Sequence, residues 1–345
     1  MIRIGIICPS EIALRRFMPA LQKAEGFAFA GIASCTAEER YGVRESYTER
    51  EQEIIENDFK KAEVFIEQYG GKLYSSYAEI CESDEIDAIY VPLPPALHFR
   101  WAKYALEHGK HVFVEKPSTL YAADSRELVE LAEKNGLAIH ENYMFAFHKQ
   151  LEEISRMITR GDIGNVRLYR VSFGFPRRAA GDFRYIKALG GGALNDCGGY
   201  TLKYADMLLG KQGKLLCATS CKDTENDVDI SGAAVLANED GVTVQVAFGM
   251  ENEYKCELEA WGSTGTLRHE RILTAPAGFV PTCTIKRGQE VETITLSEDD
   301  TFLSSIQYFA KCIADETTRA ESRNAIVRQA EFVDEFRRMT NLKGM

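Results

Sequence analysis

Lysine, tyrosine and aspartate side chains can hold or move a proton at neutral pH, and two segments of this 345-residue sequence set them in informative surroundings. The first is Glu115-Lys116-Pro117, at the end of the apolar run His111-Val112-Phe113-Val114. Such a run reads as a strand, and the end of a strand in an open α/β sheet is the ligand-binding edge. An ammonium held there can stabilise negative charge developing on a bound oxygen. Taken alone, a lysine at a strand end reads as a solvated surface residue. The second segment runs from Gly190-Gly191-Gly192 through Asn195-Asp196-Cys197 to Tyr200 and Lys203. With a helix starting near Asp196, residues Asp196, Tyr200 and Lys203 fall at i, i+4 and i+7 and share a face. Lys203 then favours phenolate on Tyr200, making it a proton donor or acceptor for an alcohol. The plainer alternative has Asp196 as a helix cap, Tyr200 in the core and Lys203 in solvent. Tyr143, Phe145 and Phe147 read as core aromatics, with Tyr143 retained as a candidate substrate contact.

These residues need a scaffold, and its pattern changes half-way along the chain. Residues 2–8 read as a strand, Ser10 as the N-cap of a helix from Glu11 to Ala24, and 27–34 as a second strand. Residues 37–69 form one long charged helix or a broken pair. Strands follow at 86–91, 111–115 and 137–143, with a helix over 122–135. Strands alternating with helices predict a doubly wound parallel sheet. Beyond it, strands are expected at 166–175, 215–221, 230–237, 242–249, 255–261 and 283–295, then helices at 302–314 and 322–339. Strands in succession predict a mainly antiparallel sheet. The expected fold is α/β, with a nucleotide-binding domain over 1–143 and an α+β substrate-binding and oligomerisation domain over 144–345.

In a dinucleotide fold the first strand-turn-helix cradles the pyrophosphate. Here that turn is Cys8-Pro9-Ser10-Glu11-Ile12-Ala13, without the two leading glycines. Cys8 must turn without glycine's freedom, Pro9 removes a backbone N–H, and the Ser10 hydroxyl either donates to phosphate or caps the helix. Glu11 adds a negative charge. The second strand ends Ala33-Ser34-Cys35 with no acid to bind the ribose of NAD, and Arg40 follows. NAD and NADP both remain open.

The net charge of −11 argues against nucleic acid or an anionic membrane as partner. No apolar stretch has membrane-spanning length, and the N-terminus reads as a strand rather than a signal peptide. Nine cysteines without C-x-x-C spacing predict free thiols in a reducing cytoplasm. Six histidines without ligand spacing predict no metal.

Taken together, the motifs resemble the Gfo/Idh/MocA oxidoreductases, along nearly the whole chain. Ala105 to Pro117 resembles the family's E-K-P signature, Gly161 to Val166 its G-x-I-G entry into the second sheet, and Gly190 to Tyr200 its GGGAL-x-D-x-G segment. Glu141 to His148 is similar to the glucose–fructose oxidoreductase and dihydrodiol dehydrogenase branch, with Ala146 in place of an arginine. The resemblance implies a Rossmann domain, NAD(P), and a sugar-like substrate held between the domains. It also implies a homodimer or homotetramer built through the C-terminal sheet. It places Lys116, Tyr200 and Asp196 in the chemistry, and Tyr143 and Lys203 near the substrate. Cys8, Ser10, Glu11, Ile12, Ser34, Leu93, Pro94, His98, Glu115, Lys116 and Arg184 fall at positions that line the cofactor. The expected reaction is hydride transfer at a secondary alcohol or hemiacetal carbon. The alternatives are a redox relay on tightly held NAD for epimerisation or glycoside cleavage, and a non-catalytic ligand sensor.

Overall fold

The computed structural model describes residues 1–341 apart from Ala180 and Thr224, and these fall into two compact units. Unit 1 comprises Met1–Thr119, Ala123–Asn142 and Ser305–Val327. Unit 2 comprises Leu120–Ala122, Tyr143–Ser304 and the residues from Arg328 on.

Unit 1 is built on strands β1 (Ile2–Ile7), β2 (Phe27–Ala33), β3 (Lys72–Tyr74), β4 (Ala88–Val91), β5 (His111–Glu115) and β6 (Ile139–Asn142). All pairs are parallel, in the order β3-β2-β1-β4-β5-β6, which is the doubly wound sheet expected. The chain winds outward in both directions from β1 and β4, so the crevice beyond their carboxyl ends is the ligand edge of this topology. β4 is buried along its whole length and β5 nearly so, which is why they read as apolar runs rather than alternations. The helices are α1 (Met18–Leu21), preceded by a π turn over Ala13–Phe17, α2 (Ala37–Tyr41), α3 (Glu49–Tyr69), α4 (Tyr77–Glu82), α5 (Pro95–Glu107) and α6 (Ala122–Lys134). Phe17 from the π turn stacks on Tyr90 of β4 at 3.9 Å between ring centroids, clamping this helix to the sheet.

The charged stretch 37–69 is the broken pair. Each of its helices starts in a reciprocal capping box, Thr36 with Glu39 and Thr48 with Glu51, each worth about 1 kcal/mol. Gly42, at φ +81°, stops the first. β3 and α4 lie in a stretch, 70–85, where the sequence pattern shows nothing. A three-residue edge strand is too short to display a period.

Unit 2 carries α7 (Lys149–Arg160), α8 (Gly199–Leu209) and an eight-stranded sheet. Its strands are β7 (Val166–Gly174), β8 (Lys214–Asp223), β9 (Val228–Ala237), β10 (Thr243–Gly249), β11 (Lys255–Gly262), β12 (Thr266–Glu270), β13 (Thr282–Arg287) and β14 (Glu290–Thr295). The order is β14-β13-β12-β11-β7-β10-β9-β8, antiparallel except for the pairing of β7 with β10. β11 shows the one-sided logic: Cys256, Leu258 and Ala260 face the core, while Glu257, Glu259 and Trp261 face away. The single strand expected over 283–295 is instead the β13–β14 hairpin, turned at Gly288, and β12 was not expected. Helices α9 (Thr301–Ala314) and α10 (Glu316–Met339) follow, the latter starting earlier than its pattern suggests.

Candidate functional site

The C-terminal edge of the unit 1 sheet gathers most of the nucleotide residues named from sequence. Cys8 leaves β1 at φ +81°, a glycine conformation that costs a residue with a Cβ about 1–2 kcal/mol. The surrounding protein pushes its thiol up to about 12, so it brings no charge to this turn. Ser10 caps the helix start: its Oγ accepts from the Ala13 N–H at 3.2 Å, leaving its own proton to donate. Glu11 is drawn outward into an ion pair with Arg15 at 2.5 Å, its side chain 77% exposed, and Ile12 is also exposed. At the end of β2, Ser34 is 1% exposed and its Oγ has no hydrogen-bond partner. An unsatisfied buried hydroxyl costs about 1–3 kcal/mol. Nearby, Arg40 pairs with Asp58 at 2.7 Å. A left-handed turn into a helix start, an orphaned hydroxyl and a strand end without an acid fit a dinucleotide.

At the next two strand ends the backbone on both sides of Lys116 is pinned. Lys116 directly follows β5, is half-buried, and makes a cis peptide to Pro117. Before it, the buried Glu115 accepts from the Tyr90 hydroxyl and from Asn142 Nδ2, both at 2.7 Å. After it, the Pro117 carbonyl meets His98 Nδ1 at 2.7 Å, and the Ser118 N–H donates to Glu141 at 2.7 Å. His98 is fully buried and its Nε2 faces the Leu93 carbonyl at 2.6 Å. Burial, aided by the Lys116 charge, pushes its pKa down to about 4, so the neutral ring donates to one of the two carbonyls. His98 was expected to line the cofactor. Its ring nitrogens tie the loop after β4, with Leu93 and Pro94, to the loop after β5.

The bonds behind Glu115 have a fixed sense. Asn142 gives its amide N–H to the carboxylate, so its Oδ1 must accept, and it does so from Ser305 Oγ at 2.8 Å. Ser305 has then spent its one proton and must accept from His140 Nε2 at 2.8 Å. Burial raises the Glu115 pKa, opposed by Asn142, Tyr90 and the Lys116 charge. Tyr90, His140, Asn142 and Ser305 were not singled out from sequence. Asn142 lies within the Glu141–His148 motif without being named for a role, whereas Tyr90 and Ser305 lie far from it along the chain.

In unit 2 a second π turn, Leu194–Gly198, leads into α8 and carries Asp196. Gly190 and Gly192 take positive φ, and a Cβ on Gly191 would lie 2.5 Å from the Arg184 carbonyl, so the turn needs glycine. Arg184, expected at the cofactor, lies in this unit: its Nε donates to Asp196 at 2.6 Å and its Nη1 contacts Asp182 at 3.2 Å. Burial opposes the Arg184 charge, but the two carboxylates outweigh it and its pKa is raised. Tyr200 sits in an aromatic box of Tyr143, Phe145 and Phe173, with ring centroids 5.2, 5.6 and 5.4 Å away. Its hydroxyl reaches the Met144 thioether, a weak acceptor, at 3.5 Å. Tyr143 is buried, and its hydroxyl accepts from Gln329 at 3.2 Å. Lys203 is half-buried, with its charge reaching Asp206 one turn on. The π turn shifts the phase of the helix, so a regular wheel through Asp196, Tyr200 and Lys203 does not describe this face.

Residues 3–143 match the model of the Gfo/Idh/MocA oxidoreductases, described as an oxidoreductase family with an NAD-binding Rossmann fold. Residues 151–268 match that family's C-terminal domain. The chain belongs to the Gfo/Idh/MocA oxidoreductase family. It is an oxidoreductase that works with NAD or NADP, as this Rossmann domain implies. Among relatives, it is 35% identical to a dTDP-3,4-didehydro-2,6-dideoxy-alpha-D-glucose 3-reductase of Actinomadura kijaniata, over 97% of this chain and 95% of that one. It is 25% identical to an NADP-dependent D-xylose 1-dehydrogenase of Haloferax volcanii, over 93% and 92%. A crystal structure of a 3-ketoreductase from Actinomadura kijaniata with NADP and TDP-benzene matches at a TM-score of 0.89 and 35% identity, over 98% of each chain. That ketoreductase has also been crystallised with a tyrosine replaced by phenylalanine and with a lysine replaced by alanine. Among the described residues, no helix is long and apolar enough to cross a membrane.

Proposed function

We propose that this protein is an NADP-dependent reductase of a keto-sugar carried on a nucleoside diphosphate, with Lys116 and Tyr200 as its catalytic residues. One observation carries the proposal. In the Actinomadura ketoreductase, the substituted lysine and tyrosine lie as far apart in sequence as Lys116 and Tyr200 do here. The nucleotide falls to unit 1 and residues 1–143, and sugar recognition to residues 144–345. Ser34 and Arg40 favour a 2′-phosphate, the Cys8–Ser10 turn and its helix start take the pyrophosphate, and Leu93, Pro94 and Glu115 shape the remaining edge.

When bound, the reduced nicotinamide supplies a hydride to the carbonyl carbon. The Lys116 ammonium stabilises the negative charge that develops on the carbonyl oxygen. Tyr200, whose hydroxyl lies 3.5 Å from the Met144 thioether, gives the proton that completes the new hydroxyl. Asp196 holds Arg184 at the rim of the Tyr200 segment, and Tyr143 shapes the Tyr200 box from within the core. In the reverse direction Tyr200 takes the proton back.

The outer face of the unit 2 sheet supports assembly. Trp261 is 53% exposed on the same face as a shallow groove lined by Cys217, Thr219, Ala233, Val235 and Ala247. A second copy of this chain, in a homodimer or homotetramer, is the occupant that this face suits. Trp261→Glu then lowers the mass measured by light scattering to that of a smaller assembly. An unchanged mass rules this face out.

The experiment for the reaction is NADPH consumption by nucleotide-stripped protein given a TDP-linked 3-keto sugar, with NADH and a free pentose as comparisons. Preferential NADPH use with the nucleotide-linked sugar supports the proposal. Oxidation of the free pentose alone replaces it with a sugar dehydrogenase.

A further inference from the structure

Unit 2 buries two opposite charges that the proposed reaction does not use: Asp229 on β9 and Arg337 near the end of α10, 2% and 6% exposed. Both end on the same short segment. Asp229 Oδ2 accepts the Leu194 N–H at 2.7 Å, and Arg337 Nη2 donates to Asn195 Oδ1 at 2.5 Å. Arg337 has no acceptor to offer, so Asn195 must present its oxygen to it and its Nδ2 to the Gly190 and Gly191 carbonyls, at 3.0 and 3.2 Å. The two buried ions thus grip consecutive residues, 194 and 195, immediately ahead of Asp196. They act where a helix start leaves N–H groups without partners of its own and where three glycines supply no side-chain packing to fix the turn. Arg337 is itself held by Asp334 at 2.7 Å and by the Leu120 carbonyl, so the grip is anchored at its far end.

We propose that Asp229 and Arg337 are positioning residues for the Asp196–Tyr200 segment, fixing where the proton donor of the reaction stands. Their effect on catalysis rests on the function proposed above; their hold on the segment does not. An apolar pair could fill the same volume but could not orient an N–H and an amide.

The charge on Asp229 gives the hold a pH dependence. Burial pushes its pKa up to about 6, opposed by the Leu194 N–H, by Arg337 from α10 and by Lys222 from β8. At the same end of β9, Asp227 is already paired with Lys187 at 2.6 Å. Above this value Asp229 is a carboxylate and its bond to Leu194 is charge-assisted. As pH falls through it, Asp229 takes a proton, the bond weakens to a neutral one, and Arg337 loses a counter-charge.

Hydrogen exchange on the protein without nucleotide or sugar tests the hold directly, by mass spectrometry of peptides covering 190–200 at pH 5 and pH 8, corrected for intrinsic exchange. Wild type is expected to lose protection there by about fivefold to tenfold at pH 5, the difference between a charge-assisted and a neutral bond. Asp229→Asn, which keeps the acceptor and removes the charge, shows the lower protection at both pH values. Arg337→Met loosens the same peptides at both. Where NADPH and the TDP-linked keto sugar turn over, kcat of wild type falls below about pH 6 with KM unchanged, and Asp229→Asn lacks that acidic limb. Asp229→Asn with wild-type protection at pH 8 and the wild-type loss at pH 5 overturns the proposal. If Asp229→Asn does not fold, Arg337→Lys, which keeps the charge but not the forked donor, decides: wild-type protection at 190–200 overturns the proposal, and reduced protection upholds it. An inactive protein with the expected exchange pattern upholds the hold and rejects only the reductase reading.

Discussion

Lys116 and the Asp196–Tyr200 segment are held in place by different physics. Ahead of Lys116 the anchors are mostly neutral: a phenol, an amide, a hydroxyl and an imidazole, joined in one direction and ending on the Glu115 carboxylate, while beyond it Glu141 holds the Ser118 N–H. Around Asp196 and Tyr200 they are ions: Arg184 on Asp196, Asp229 on Leu194, Arg337 on Asn195. A neutral directional chain keeps its geometry across pH, because none of its members must change charge to hold. Buried ions hold more firmly but fail badly when one partner is lost, since the other stays buried and uncompensated. The tyrosine therefore sits on a mount that acid loosens, whereas acid relieves the buried charge of Glu115 behind the lysine.

Four substitutions break or sharpen this contrast. Lys116→Met removes the ammonium but none of its anchors. We expect kcat to fall by roughly a hundredfold or more with melting temperature and NADPH affinity unchanged, by steady-state kinetics, thermal melts and fluorescence titration. A parallel fall in stability would show that Lys116 is itself part of the mount. Arg184→Met removes the guanidinium that pairs with the buried Asp196. It should cost about 2–3 kcal/mol in denaturant unfolding, a discounted figure because the pair is not fully buried. A loss below about 0.5 kcal/mol would mean the pair behaves as a surface ion pair.

Asn142→Asp turns the neutral mount into a charged one by placing a second carboxylate against Glu115. The Glu115 pKa is already raised by burial. An acid whose folded pKa lies above its unfolded value costs stability as pH rises past the unfolded value, and a second carboxylate enlarges that cost. The variant should therefore lose about 1–2 kcal/mol more than wild type between pH 5 and pH 8, read from melts at both. Equal pH dependence in the two proteins would place Glu115 outside the chain of bonds described. Cys8→Gly has the smallest effect, relieving a left-handed Cβ and changing stability by up to about 1 kcal/mol. A large loss of melting temperature would show that the Cys8 thiol, packed against Tyr77, matters more than the turn it makes.

Much of the architecture was legible in the sequence because periodicity reports burial. Central parallel strands such as β4 and β5 are buried on both faces and appear as apolar runs; antiparallel ones such as β11 alternate. Strands too short for a period, such as β3, and a hairpin whose two arms read as one run, β13 and β14, escaped this reading. In the candidate site, Lys116 and Tyr200 were visible because they sit inside motifs. Their mounts were not, because Ser305, Asp229 and Arg337 reach their partners through the fold, from far along the chain. Conformation was partly legible: the turn at Cys8, read from the missing glycine, has the expected left-handed φ, whereas the phase shift ahead of Tyr200 follows from hydrogen-bond spacing, which residue types do not reveal. Glu11 appeared threatening to a phosphate only until the structure turned it toward Arg15.

The central claim is that Lys116 and Tyr200 carry NADPH-dependent reduction of a nucleotide-linked keto sugar. The most direct test is a single-turnover measurement of NADPH oxidation with the TDP-linked 3-keto sugar, in wild type, Lys116→Met and Tyr200→Phe, each first shown to bind NADPH equally. The account predicts stoichiometric oxidation by wild type and rates at least about a hundredfold lower in both variants. Oxidation at the wild-type rate by either variant would contradict it.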